Sequence, residues 1–339
     1  MKITIILLVF LGQLMTNIFG QTSHKQKING LHYVTLKKAL NSVDLTSVEN
    51  LGANWVSIVP FSYMCDLKST TLDCERIKHN VGDEIESVRR NIRFIQLSSK
   101  KTMVKPQILL GNHKYVGHIN HLKRSDWRAF ESSYTEMILA YAKLCEDENV
   151  DLFCIGTELT SFVQKRNRYW YSLIKSIRKI YSGKITYAAN WDSYNTIPFW
   201  SKLDYVGIDA YFPISKKESA SLEELKKGWQ NYTKKMMELA DKTQKKIIFT
   251  EYGYRSHKSC AVEPWEHKKK GDLVNEEAQS LALQALYESI WSQNYFSGGF
   301  LWHWKLNPAF VGGPNDADFT VQNKKAENVV RSRYTDVNP

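Results

Sequence analysis

Eight short apolar runs, separated by longer amphipathic stretches, constrain this chain more than any other feature. The runs fall at 30–34, 55–60, 103–110, 152–157, 185–189, 205–210, 247–250 and 299–302. Between them, residues 126–145 place Trp127, Phe130, Tyr134, Ile138 and Tyr141 at near-helical spacing, and 168–181 do the same with Tyr171, Ile174, Ile177 and Ile180. Residues 221–241 and 276–292 complete the helical set, while the fifth interval offers only a short turn near 197–200. Such alternation predicts a parallel sheet covered by helices. Eight units with no repeat, linker or low-complexity break predict one closed (β/α)8 TIM barrel of α/β class. An open doubly wound sheet would carry a glycine-rich phosphate loop after its first strand, and Gly30-Leu31-His32-Tyr33 is nothing of the kind.

The ends of the 339-residue chain read differently. Lys2, an apolar run over 3–14 and a small, polar stretch up to Gly20 have the layout of a secretory signal peptide, 1–20. The apolar run falls short of the ~20 residues a bilayer span needs, so stable membrane insertion is not expected after cleavage. The barrel domain is assigned to 21–330 and a mobile C-terminal tail to 331–339. The mature protein is thus expected outside the cell or in a periplasm. The net charge of +11 comes from lysines scattered over helix-like stretches and one loop triplet, Lys268-Lys269-Lys270. With no nucleic-acid motif beside them they read as a solvated surface, so no nucleic-acid partner is expected. Five cysteines are few for a disulfide scaffold, but Cys65 and Cys74 lie close together in a loop and can pair after export. Cys154, in an apolar strand, reads as a core thiol. No CxxC, HExxH or histidine cluster stands at metal-ligand spacing, so neither a catalytic metal nor a cofactor is expected. Oligomeric state is not legible.

Barrel enzymes place their chemistry at the C-terminal ends of the strands. The fourth run ends in Glu158 and the seventh in Glu251, three strand–helix units apart. A carboxylate directly after a buried run is costly unless it is paired or used. One such glutamate alone reads as a solvated or arginine-bound acid. Two at these positions face one another across a barrel mouth. Retaining glycoside hydrolysis needs that pair ~5–5.5 Å apart, one carboxylate as nucleophile and the other as acid and then base. The neighbouring strand ends supply polar edges and aromatic faces suited to sugars: Asn112-His113, Asn190-Trp191-Asp192, Asp209-Ala210-Tyr211 and Trp302-His303-Trp304. Asn112, His113, Asn190, Trp191 and Trp304 are taken as substrate-binding candidates, and His32, Tyr33 and Tyr63 as weaker ones. The long segment 255–275, with Trp265, can shape a leaving-group subsite. Residues 306–321, with Gly312-Gly313-Pro314, should be irregular.

The phrases Ile155-Gly156-Thr157-Glu158-Leu159, Thr250-Glu251-Tyr252-Gly253-Tyr254, Lys105-Pro106-Gln107-Ile108 and Ile58-Val59-Pro60-Phe61 resemble glycoside hydrolase family 113 of clan A, in order and over nearly all of the mature chain. That resemblance implies a retaining endo-β-1,4-mannanase acting on a polysaccharide or oligosaccharide, with Glu158 as acid/base and Glu251 as nucleophile. It also implies an aromatic floor at Trp302 and a tyrosine beside the nucleophile, Tyr211. Thr157 stands where many clan members carry asparagine, which leaves the sugar open. Three alternatives remain: a β-glucanase, an exo-β-mannosidase, and a non-catalytic carbohydrate-binding barrel that need not keep both glutamates. A Schiff-base enzyme would need a lysine at a strand end, and a metallohydrolase several His or Asp; neither pattern is read here.

Overall fold

The computed structural model describes residues 26–34, 39–74, 84–111 and 114–336. The proposed signal peptide, Asn112, His113 and residues 337–339 lie outside the described residues. Among the described residues ten strands form: β1 (Ile28–Val34), β2 (Trp55–Val59), β3 (Phe61–Met64), β4 (Lys101–Val104), β5 (Gln107–Leu110), β6 (Leu152–Thr157), β7 (Lys184–Asn190), β8 (Val206–Asp209), β9 (Ile247–Tyr252) and β10 (Phe296–Trp304). Eight of them, in the order β1-β10-β9-β8-β7-β6-β4-β2, close into a barrel, and every adjacent pair is parallel. Helices α1 (Ser42–Leu51), α2 (Ile85–Gln96), α3 (Arg124–Asp147), α4 (Thr160–Lys165), α5 (Asn167–Arg178), α6 (Leu222–Thr243), α7 (Glu276–Leu286) and α8 (Lys325–Thr335) form the outer ring. The fold is therefore the (β/α)8 barrel, in one domain. Between β7 and β8 only two 3-10 turns occur, Tyr194–Thr196 and Trp200–Lys202, at the interval the sequence marks as weakest.

The alternation of each strand divides the apolar residues into two cores. Outward residues such as Phe153, Ile185 and Phe249 join the helices in one large cluster. The lumen holds a small plug: Ile28, Trp55, Met103, Leu152, Cys154, Ala188, Ile248 and Phe300, with Tyr205 against it. Cys154 is thus a core thiol. Above the plug the lining turns polar, with His32, Ser57, Lys105, Asp209 and Thr250 all fully buried. This polar layer lies toward the C-terminal ends of the strands.

Two expectations need correction. The run at 103–110 is two strands, not one. Proline has no N–H for a ladder, and its ring fixes φ. Pro106 ends β4, just as Pro60 ends β2, and the two breaks are level: the Lys105 N–H donates to Ile58 O at 3.0 Å and the Gln107 N–H to Pro60 O at 3.0 Å. Beyond the breaks β3 and β5 pair with each other in a separate two-stranded parallel sheet. The Cys65–Cys74 disulfide, Cα–Cα 5.0 Å, ties the chain just past β3. Second, residues 331–336 are no tail. They belong to α8 and its cap, and Tyr334 is buried there, its hydroxyl donating to Gly30 O at 2.6 Å and pairing with the Tyr252 hydroxyl at 2.5 Å. An aromatic side chain three residues into the supposed tail finds a barrel floor to bury against.

Candidate active site

Both glutamates are aimed by irregularities in their strands. In β9, Ile208 pairs with Phe249 but the next partner of Asp209 is Glu251, so Thr250 is an extra residue in that ladder. The β10 ladder skips at the same place, from Gly299–Phe249 to Leu301–Tyr252. A bulge re-aims the side chains that follow it. Here it lets Thr250 and Glu251 both face the lumen, while Tyr252 turns outward against Tyr287 and Trp291. In β6 the register moves from Cys154–Thr186 to Thr157–Ala188. The step requires Gly156, because a Cβ there would lie 2.7 Å from the Tyr134 hydroxyl and 2.9 Å from the Trp170 ring. Glu158 follows with φ +55, its N–H held by Ala188 O at 2.8 Å. A non-glycine residue in the left-handed region costs ~1 kcal/mol or more, and such costs cluster at functional sites.

Three donors converge on the two oxygens of Glu251. The buried Lys105 ammonium and the Gln107 amide, at 2.7 Å, share Oε1, and the Tyr211 hydroxyl donates to Oε2 at 2.8 Å. Lys105 also reaches Asp209 Oδ2 at 3.5 Å, and the other oxygen of Asp209 accepts from Thr250 at 2.8 Å. Burial alone would lower the Lys105 ammonium, but Asp209 and Glu251 outweigh it and push it up, so it stays charged. Burial and then the charge of Glu251 raise Asp209 to about 7, against the opposing pull of Lys105. Glu158 is raised well above the carboxylate range, first by burial and then by the negative charges of Asp209 and Glu251. His32 is neutral, through burial and then Lys105, and its Nε2 pairs with Thr250 O at 2.8 Å.

The remaining candidates divide. Tyr211 and Trp302 are both near the polar layer: Trp302 lies edge-on to His32 at 5.4 Å, and Tyr211 packs on Phe319. Asn190 ends β7, its side chain accepting from the Trp191 N–H at 3.0 Å. Trp191 stacks on Trp265 of the segment after β9, ring centroids 5.2 Å apart and nearly parallel. Trp304 does not face the mouth. The β1 ladder skips from Leu31–Leu301 to Tyr33–Trp304, which turns Trp304 to the Tyr33 side, where its indole N–H donates to Ser47 of α1 at 2.9 Å. Tyr33 likewise points outward, its hydroxyl donating to Asp44 O. Tyr63 is buried in the small sheet. Lys105, Gln107 and Asp209 stand in phrases that the sequence marked, but none of them was given a role there. Lys105 corrects the expectation that no lysine stands at a strand end. It is held charged by two carboxylates, so it is no amine nucleophile. A lysine and an aspartate interrupting apolar strands were the available signal.

With this fold and this mouth the molecule is a glycoside hydrolase of the barrel type. The profile of Glycoside Hydrolase Family 113 matches residues 31–324, and the chain belongs to that family. No curated protein matches it by sequence. Among solved structures it is similar to a GH113 β-1,4-mannanase complex, with TM-score 0.79 and 21% identity over 91% of this chain and 99% of that one. It is similar too to the β-mannanase of Alicyclobacillus acidocaldarius in complex with ManMIm, TM-score 0.78 and 20% identity, covering 92% and 98%. A β-glucuronidase from Faecalibacterium prausnitzii follows at TM-score 0.62 and 14% identity, this chain spanning 49% of it. At these identities the likeness is one of fold.

Proposed function

We propose that this glycoside hydrolase is a retaining endo-β-1,4-mannanase, with Glu251 as nucleophile and Glu158 as acid/base. The observation that carries the reading is the contrast between two carboxylates of one polar layer. Glu251 meets three donors, and a carboxylate that only accepts is suited to that setting. Glu158 is held in its protonated form by burial and by negative neighbours, as a general acid must be. In the first step Glu251 attacks the anomeric carbon while the Glu158 proton passes to the leaving oxygen. A glycosyl–enzyme ester forms and the leaving sugar departs as an alcohol. In the second step Glu158 takes a proton from water, which displaces Glu251 with net retention. Family membership and the activity of the similar β-1,4-mannanases support mannan as substrate. Export belongs to the same reading, supported by the apolar stretch after Lys2 and by the Cys65–Cys74 bridge.

Azide rescue with an activated β-mannoside tests the roles. Glu251→Gln removes the nucleophile, so azide attacks the vacated face and gives the inverted α-glycosyl azide. Glu158→Gln still forms the ester, and azide then gives the β-glycosyl azide. Turnover of natural glycan falls ~10²–10⁴-fold without acid help. Identical behaviour of the two variants overturns the assignment, and unimpaired hydrolysis in both overturns the mechanism. Product sizing on mannan, glucomannan, cellulose and xylan tests the substrate. Faster cleavage of cellulose or xylan than of mannan refutes the mannanase reading.

A further inference from the structure

Glu158 after β6 and Glu251 on β9 divide the barrel rim into two arcs. The long arc holds β10, β1, β2 and β4, and the short one only β7 and β8. The ladders bring the end of β7 level with the site. Asn190 pairs with Asp209 and Asp209 with Glu251, so two lateral steps of ~4.8 Å lead from Glu251 to Asn190. On its other side β7 meets Glu158, whose N–H donates to Ala188 O at 2.8 Å. Trp191 follows Asn190 directly and packs on Phe212, ring centroids 6.2 Å apart, the neighbour in the chain of the tyrosine that donates to Glu251. Trp265 then stacks on Trp191, with 5.2 Å between centroids and 10° between planes. The stack is not what holds segment 255–275 in place. Arg255 pairs with Asp272, the Asn275 N–H closes the base on Ser256 O at 2.8 Å, and Ala261 O accepts the N–H groups of Ile214 and Ser215, both at 3.0 Å. In a segment so tied, Trp265 is still 39% exposed, and Trp191 beneath it is half-buried. A flat ring fixed against a second ring, with over a third of its surface in water, suits the weakly apolar face of a sugar.

The inference rests on the reading of Glu251 as nucleophile and Glu158 as acid, which sets the bond to be cut between them. On that reading the sugar that becomes bound belongs with Trp302 and His32 of the long arc, and the leaving chain runs out over the short arc. We propose that the Trp191–Trp265 stack is a platform for a sugar ring of the leaving chain, with Trp265 giving the contact face and Trp191 backing it. Its ligand is a β-linked saccharide on the reducing-end side of the cut. The platform lets the enzyme grip a chain on both sides of an internal bond.

The test compares two substrates on Trp265→Ala. One is a hexasaccharide of whichever β-glycan the enzyme cleaves best, labelled at its reducing end so that the bond cut is read directly. The other is an aryl glycoside of the disaccharide of that glycan, with no saccharide on the leaving side. The expected result is a roughly tenfold fall in kcat/KM on the hexasaccharide, a shift of the preferred cut toward its reducing end, and an unchanged rate on the aryl glycoside. Trp191→Ala takes away the backing ring and should show the same selective loss. Trp265→Phe keeps a flat ring and should retain most of the hexasaccharide rate. Equal losses on both substrates mean that the stack serves the fold, and overturn the proposal. So does a Trp265→Ala enzyme with the rate and the cut of the unaltered protein on the hexasaccharide. Failure of the underlying reading shows separately, as undiminished turnover in Glu158→Gln.

Discussion

Asp209 is fully buried, yet its charge is the largest electrostatic influence on Glu158. Removing that charge in Asp209→Asn relieves part of the repulsion that keeps the acid protonated. The Glu158 carboxyl then falls back toward the ordinary carboxylate range. A general acid is useful only below its pKa, so the basic limb of the kcat/KM profile should move to lower pH. A limb that stays fixed or moves upward would show that Glu158 is not the group titrating there. Sequence made the two glutamates legible because each ends a long apolar run. It left Lys105 and Gln107 unassigned because their partners are far off in the chain: Lys105 meets Asp209 and Glu251 only after four strands have closed the lumen. Trp304 was taken as a candidate from its place at the end of the eighth run, and the ladder that skips a residue there turns it to the Tyr33 side.

At the level of elements, the eight barrel strands could be read from apolar runs, and the long helices from their periodicity. The breaks at Pro60 and Pro106 are visible as residues, but that both fall at one height is a matter of register, which only the closed sheet defines. Helix α8 was hidden by its composition, a polar stretch whose buried face is only Ala326, Val330 and Tyr334. That face is worth testing. Tyr334 links α8 to the start of β1 and to Tyr252, and Asn29 donates back to Tyr334 O at 3.2 Å. Tyr334→Ala should cost ~3–5 kcal/mol, and Tyr334→Phe, which leaves the ring but strips its hydrogen bonds, ~1–3 kcal/mol. Urea unfolding monitored by tryptophan fluorescence measures both. A loss under ~1 kcal/mol in the alanine variant would mean that the helix is dispensable to the barrel.

For the whole molecule, the small β3–β5 sheet and its disulfide cap the side of the mouth where the second and third barrel strands end. The bridge closes a short loop, so the chain-entropy estimate is ~2–3 kcal/mol of stabilisation, lost on reduction or in Cys65→Ser with Cys74→Ser. A reduced enzyme whose unfolding midpoint does not fall would show that the loop is ordered without it. The largest consequence lies in the bulges. Thr250 is one surplus residue in an otherwise regular strand, and it lifts the carboxylate of Glu251 by one step, ~3.3 Å, toward the opening. An in-frame loss of that single codon should leave Glu251 inward-facing in an unbroken ladder, but sunk to the depth Thr250 now holds. On the proposed role of Glu251, heredity would therefore detach cutting from folding here in one event, leaving an intact, inert vessel, and a one-codon insertion would be the route back.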